Sequence, residues 1–180
     1  MRHPFSILFI SLLIFCTSSF AQSYDKMWRN ISEYQKKDLP QSVINQAYVI
    51  FDKACQEKNS SQIIKSFLTA MQYREEISAD SLNKDITSLE KLASESSKIE
   101  EKALLYSILA RIKSDSDPDK ALVYIGNSMR DASKVVELSG DTYKPIIKSG
   151  DISEKYFKNN LLHIIADINL KRINRMNNSS

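Results

Sequence analysis

The chain is poor in residues that break a backbone, with three glycines and four prolines in 180 residues. It contains no glycine-rich phosphate loop, no clustered Cys and His, no His-Glu-x-x-His and no calcium-binding loop, so neither a nucleotide nor a metal cofactor is expected. Cysteine is scarce as well, Cys16 and Cys55 being the two present, and His163 is the single histidine beyond His3. An excess of one charge is also lacking. The formal net charge is +3, spread along the sequence, which argues against nucleic acid or an anionic membrane surface as partner.

One long apolar run is present, at the start. Met1 to His3 is short and positive, Phe5 to Phe15 is almost unbroken Phe, Ile and Leu, and Thr17-Ser18-Ser19-Phe20-Ala21 puts small residues three and one before Gln22. This pattern predicts a signal peptide over 1–21, cleaved after Ala21, with export to the periplasm or cell surface. The apolar run covers about 11 residues where a span needs roughly 20, which makes a membrane anchor the weaker reading. Lipid attachment at Cys16 is disfavoured by the bulky Phe15 before it. Cleavage removes Arg2 and Cys16, leaving a charge of about +2 and Cys55 as the sole thiol, which excludes an intrachain disulfide. The roughly 160 residues that remain can bury about two thirds of their unfolded surface, enough for one domain without disulfides.

What is abundant is Leu, Ile, Ala, Lys, Glu, Gln and Ser, a composition that favours helices over strands. Periodicity decides the matter. Tyr24, Met27, Trp28, Ile31 and Tyr34 recur at steps of three and four, as do Val43, Ile44, Ala47, Tyr48, Phe51, Ala54 and Cys55. Asp38-Leu39-Pro40 reads as the stop of one helix and the start of the next, because a helix tolerates proline in its first turn. Ile63, Ile64, Phe67, Leu68 and Met71 follow the capping residues Asn59-Ser60-Ser61. Leu82, Ile86, Leu89 and Leu92 follow Asp80 or Ser81, and Ile99, Ala103, Tyr106, Leu109 and Ala110 follow Ser96-Ser97. Asp115 to Asp117 ends that helix, and Pro118 opens one carrying Ala121, Leu122, Ile125, Met129 and Ala132. Between Lys134 and Ser153 the regularity lapses at Gly140, Pro145 and Gly150, which predicts a long ordered loop or short turns. A last helix, capped near Asp151 or Ser153, carries Phe157, Leu161, Ile165 and Ile168, and Asn174 to Ser180 reads as a fraying polar tail.

Short helices are marginal alone in water, so about seven of them joined by short turns must pack against their sequence neighbours. The expected fold is all-α, an irregular antiparallel helix-pair stack over residues 22–173, a solenoid or bundle resembling tetratricopeptide repeats without their small-residue spacing. A polar tail at 174–180 completes the organisation.

Candidate chemistry is sparse. An enzyme reading would make His163 a general base oriented by Asp167, one turn on. No nucleophile stands near them in sequence, and such pairs are common on helix surfaces, so a structural role is expected. Cys55 falls on the apolar stripe of the second helix and reads as an inert core thiol. Glu75-Glu76 and Glu100-Glu101 fall off the stripes and read as solvated faces. Tyr24 and Trp28 could present an aromatic partner site, but helical spacing favours a core role. Asn30-Ile31-Ser32 and Asn59-Ser60-Ser61 match the glycosylation tripeptide, a weakly specific pattern. No residue is thereby designated catalytic, cofactor-binding or metal-ligating.

Ser23-Tyr24-Asp25-Lys26-Met27-Trp28 and Lys36-Lys37-Asp38-Leu39-Pro40-Gln41 resemble the start of the mature chain in large alpha-2-macroglobulin-like proteins of Bacteroides-type bacteria. Tyr143-Lys144-Pro145-Ile146-Ile147 and Tyr156-Phe157-Lys158-Asn159-Asn160-Leu161-Leu162-His163 are similar to a segment further along the same helical region. Gln62-Ile63-Ile64-Lys65 and Asp80-Ser81-Leu82 fit between them. In that family the helical region precedes β-sandwich macroglobulin domains, and the whole molecule acts as an exported protease trap or surface defence factor. The 180 residues carry no thioester motif and no β-rich segment, so no functional residue transfers. The resemblance implies an exported helical interaction module with an unidentified protein partner. A small secreted enzyme using His163 is the rival reading, and a non-functional remnant of a disrupted gene is a third.

Overall fold

Proline, capping side chains and left-handed residues punctuate the backbone into helices. The computed structural model describes residues 23–78, 80–146 and 160–178. Among them are α1 (Tyr24–Lys36), α2 (Pro40–Gln56), α3 (Ser60–Ile77), α4 (Ser81–Glu95), α5 (Ile99–Lys113), α6 (Pro118–Met129), the short α7 (Ala132–Val135), a 3-10 turn (Asp141–Tyr143) and α8 (Leu161–Asn178). No strand occurs among the described residues, only an isolated bridge between Ser139 and Asn160. The chain is all-α, as periodicity predicts. No helix of the described residues is long and apolar enough to cross a membrane. The expected leader at 1–21, and Gly150, Asp151, Ser153 and Phe157, lie outside the described residues.

The first two connections use one device. Asp38 and Lys58 take left-handed backbone conformations, with φ of 52° and 53°. Each lets the next amide reach back to close the helix end, Leu39 N–H to Tyr34 O at 3.1 Å and Asn59 N–H to Ala54 O at 2.9 Å. Pro40 then opens α2, and the Asn59 side chain accepts from the Gln62 amide to cap α3. Pro118 opens α6 in the same way, with Asp117 accepting from the Lys120 amide. At α5 the residue before the helix is Lys98, and neither Ser96 nor Ser97 caps it. Ser96 instead accepts from the Lys98 amide, while the Lys98 ammonium reaches Lys58 O at 2.7 Å and Ser60 Oγ at 2.8 Å, tying the α2–α3 turn to the start of α5.

Two apolar clusters result. The smaller packs Met27 and Ile31 of α1 against Val43, Ala47 and Ile50 of α2 and Ala70 of α3. The larger gathers α3 to α8 around α5, which is buried on most of its faces because α4, α6 and α8 all pack on it. That enclosure corrects the stripe read for α5, since Leu104 and Leu105 are as buried as Leu109. The larger core also holds a polar chain. The Ser107 hydroxyl donates to Asn169 Oδ1 at 3.0 Å, and Asn169 Nδ2 donates to Ser128 Oγ at 2.8 Å, all three side chains being buried. These bonds fix how α8 sits against α5 and α6, because a slip would leave buried polar groups unpaired.

The break after α6, expected as a long ordered loop or short turns, holds the short α7 and the 3-10 turn, whose Tyr143 is fully buried. The last helix runs on through Asn178, taking in part of the polar segment expected at 174–180. One stripe needs amendment. Leu122, read as part of the α6 stripe, is exposed, and Tyr124 takes the buried position. The registers Ala121, Tyr124 and Ser128 face α5, which turns Leu122 outward.

Candidate functional surfaces

His163 lies exposed in the first turn of α8, its amide donating to the capping Asn160 side chain at 3.2 Å. Asp167 follows one turn on, and its carboxylate sits 2.7 Å from the Lys171 ammonium.

Cys55 is exposed and not part of the core. The buried register of α2 runs Val43, Ile44, Ala47, Ile50 and Ala54, and Cys55 stands one residue, about 100°, beyond it. Partial desolvation pushes its thiol pKa up, and the negative charges of Asp52 and Glu101 add to the effect. The thiolate that would act as nucleophile is therefore disfavoured at neutral pH. Glu101, expected on a solvated face beside Glu100, is only 6% exposed. It is carried inward because α5 is enclosed on nearly every side. Among the described residues no group of three or more His, Cys, Asp or Glu side chains could hold a metal ion.

Tyr24 and Trp28 are half-buried against the smaller cluster, with polar edges already engaged. The Tyr24 hydroxyl donates to Glu57 at 2.6 Å, and burial together with that carboxylate pushes the phenol pKa well up. Trp28 Nε1 donates to Gln62 Oε1 at 2.7 Å, while the Lys65 ammonium lies 4.0 Å from the Trp28 ring centroid. Burial pushes the Lys65 pKa down, and Asp25 opposes that effect. These contacts fasten α1 onto α2 and α3.

The other end of the stack also presents apolar side chains to solvent. On α6, Leu122 is 49% and Val123 61% exposed. Gly126 follows them at the three- and four-residue steps that place side chains on one helix face. A Cβ built on Gly126 meets nothing within 4 Å, so no neighbouring atom requires glycine there. The inward face of α6 is anchored by the Tyr124 hydroxyl, which donates to Glu90, while Lys120 stands 2.9 Å from the same carboxylate. Those two partners hold the Glu90 pKa below the ordinary range.

A groove of about 710 Å³ opens between α3, α5 and α8. Its walls carry Leu68, Met71, Gln72 and Glu75 from α3 and Leu104, Ser107, Ile108 and Arg111 from α5. From α8 come Ile168, Lys171, Arg172 and Arg175, and Ile146 lies at its edge. Periodicity marked several of its apolar residues as core without indicating a cleft, because a groove depends on how three helices diverge.

Comparison with protein-family models, curated proteins and solved structures finds no match to this chain.

Proposed function

We propose that this protein is an exported, non-catalytic helical interaction module, of the kind that precedes the macroglobulin domains of bacterial alpha-2-macroglobulin-like proteins, and that it docks its partner on the outer face of α6. Export rests on the leader-like pattern at 1–21, and the family reading rests on the resemblance of the segments around Trp28 and Pro145. The observation that carries the docking reading is the Leu122-Val123-Gly126 face, apolar and exposed although the opposite face of the same helix is anchored in the core. A contiguous exposed apolar patch marks an interaction surface more often than scattered single residues do. Glycine inside a helix costs about 1 kcal/mol relative to alanine, and it permits close approach by a partner backbone.

The reading is tested by photo-crosslinking in the native host, with a photoreactive amino acid at Val123 and, as control, at exposed Lys84 of α4. One discrete protein adduct at position 123, absent at 84 and lost on Gly126→Arg, supports it. Equal labelling at both positions, or an uncleaved leader found by N-terminal sequencing, refutes it.

A further inference from the structure

α4 and α6 advance in the same direction past α5, from the level of Glu90, where Tyr124 and Lys120 bridge the two helices, to the level of Ser94 and Asn127. At that second level the facing side chains are small, Ser94 on α4, Ala103 on α5 and Ser128 on α6, and a pocket of about 230 Å³ opens between the three helices. From α5 it is lined by Lys102 and Tyr106, which share a face because they stand four residues apart. Asn127 and Arg130 at the end of α6, and Asp131 just after it, complete the polar rim. Several of these groups are unspent. Among the described residues the Lys102 ammonium and the Tyr106 hydroxyl meet no partner. Of the five Arg130 side-chain N–H donors one is used, on Asn127 Oδ1 at 2.6 Å. Asp131 is the single carboxylate of the lining, and Lys134 reaches its Oδ1 at 3.3 Å, leaving Oδ2 to accept.

We propose that this pocket binds a sugar acid, a single ring carrying both a carboxylate and hydroxyl groups, with the carboxylate meeting Lys102 and Arg130 and a ring hydroxyl donating to Asp131. The mixture of donors and acceptors selects the occupant. A plain anion such as phosphate would be drawn by the two cations but repelled by Asp131 and by the C-terminal ends of α4 and α6, whose unpaired carbonyls carry partial negative charge. A neutral sugar would serve Asp131 and leave Lys102 without a counter-charge. The volume lies below the roughly 300–1,000 Å³ of drug-sized sites, which suits one ring and excludes an acyl chain or a nucleotide. Arg130 follows the end of α6, where a cation complements the helix dipole in any case. Lys102 has no such local role, because it stands near the N-terminal end of α5, where the dipole disfavours positive charge. The inference goes beyond the proposed function, since docking on α6 uses Leu122, Val123 and Gly126 and the pocket uses none of them.

The experiment follows the backbone nitrogen-15 and proton shifts of the full chain as sodium glucuronate is added, with glucose, acetate and inorganic phosphate as comparison probes at matched ionic strength. Saturable shifts are expected at Lys102, Tyr106, Asn127 and Asp131, at lower concentration for glucuronate than for any of the other three. Lys102→Met is expected to weaken glucuronate about tenfold, the size of one hydrogen bond to a charged group, while leaving glucose unchanged. Asp131→Asn is expected to weaken glucuronate and strengthen phosphate. Ser94→Trp, at an exposed position on the wall, is expected to fill the pocket and abolish binding of both, and a circular dichroism melt establishes that each variant is folded. No saturable shift, shifts centred away from the pocket, acetate or phosphate binding as tightly as glucuronate, or insensitivity to folded Lys102→Met and Ser94→Trp would overturn the proposal.

Discussion

The two ends of the helix stack differ in how they meet solvent. At the α1 end, Met27 and Ile31 are buried against α2, and the aromatic rim is closed by Tyr24–Glu57, Trp28–Gln62 and the Lys65 ammonium over Trp28. Tyr48 of α2 lies under the Arg74 guanidinium, 5.2 Å from its ring centroid, although neighbouring Val49 stays exposed. At the α6–α8 end the inward faces are pinned by the Ser107–Asn169–Ser128 chain, but Leu122, Val123 and Leu170 are left exposed. A helix is thus fastened at both ends of the stack, and both leave apolar side chains at the surface, Leu39 and Val49 near the first and Leu122, Val123 and Leu170 at the other; the ends differ in that only the first closes its rim with aromatic side chains. The difference teaches that the exposed apolar residues of α6 are not the product of a loosely held helix.

The largest effect is expected between the two ends. Phe67 packs its ring 6.0 Å from that of Phe51, joining α2 to the larger cluster. Phe67→Asp puts a charge into the packed interior and is expected to cost on the order of 4 kcal/mol or more, unfolding the chain. A circular dichroism melt unchanged by this substitution would contradict the core assignment. Asn169→Ala comes next. It takes away the acceptor of the buried Ser107 hydroxyl and the donor to Ser128, whose own proton stays on Ile125 O, and it removes packing, for a loss of about 2–3 kcal/mol in urea unfolding. A loss below about 0.5 kcal/mol would mean that the polar chain does not hold the α8 end. The smallest effect has the opposite sign. Gly126→Ala has room for its methyl group and is expected to stabilise the protein by about 0.5–1 kcal/mol while weakening any partner that approaches the α6 backbone closely. Destabilisation would show that the space over Gly126 is already filled.

Much of this architecture was legible in the sequence, for identifiable reasons. Pro40, Pro118 and Asn59 act locally, so helix starts could be read from them, whereas Asp117, read as a helix stop, turned out to cap α6. The stripes of α1 and α4 also emerged from spacing, because each helix packs along one face. Spacing failed for α5, where enclosure buries Glu101 and Ser107 alongside the leucines. It failed again where a residue borders the stripe, as Cys55 and Leu122 do, since a rotation of about 100° separates core from solvent. Long-range geometry was not legible. Ser107, Ser128 and Asn169 look like ordinary polar residues until three helices bring them together, and the groove has no signature in any single segment.

That the outer face of α6 is left uncovered by the chain, unlike the buried face of α1, is tested most directly by urea unfolding of two variants. Met27→Ser at the α1 end is expected to cost about 2–4 kcal/mol, as loss of a buried apolar side chain requires. The double substitution Leu122→Ser with Val123→Ser at the α6 end is expected to change stability by less than about 1 kcal/mol. Comparable losses from both would contradict the account, because the α6 face would then already be buried by the chain itself.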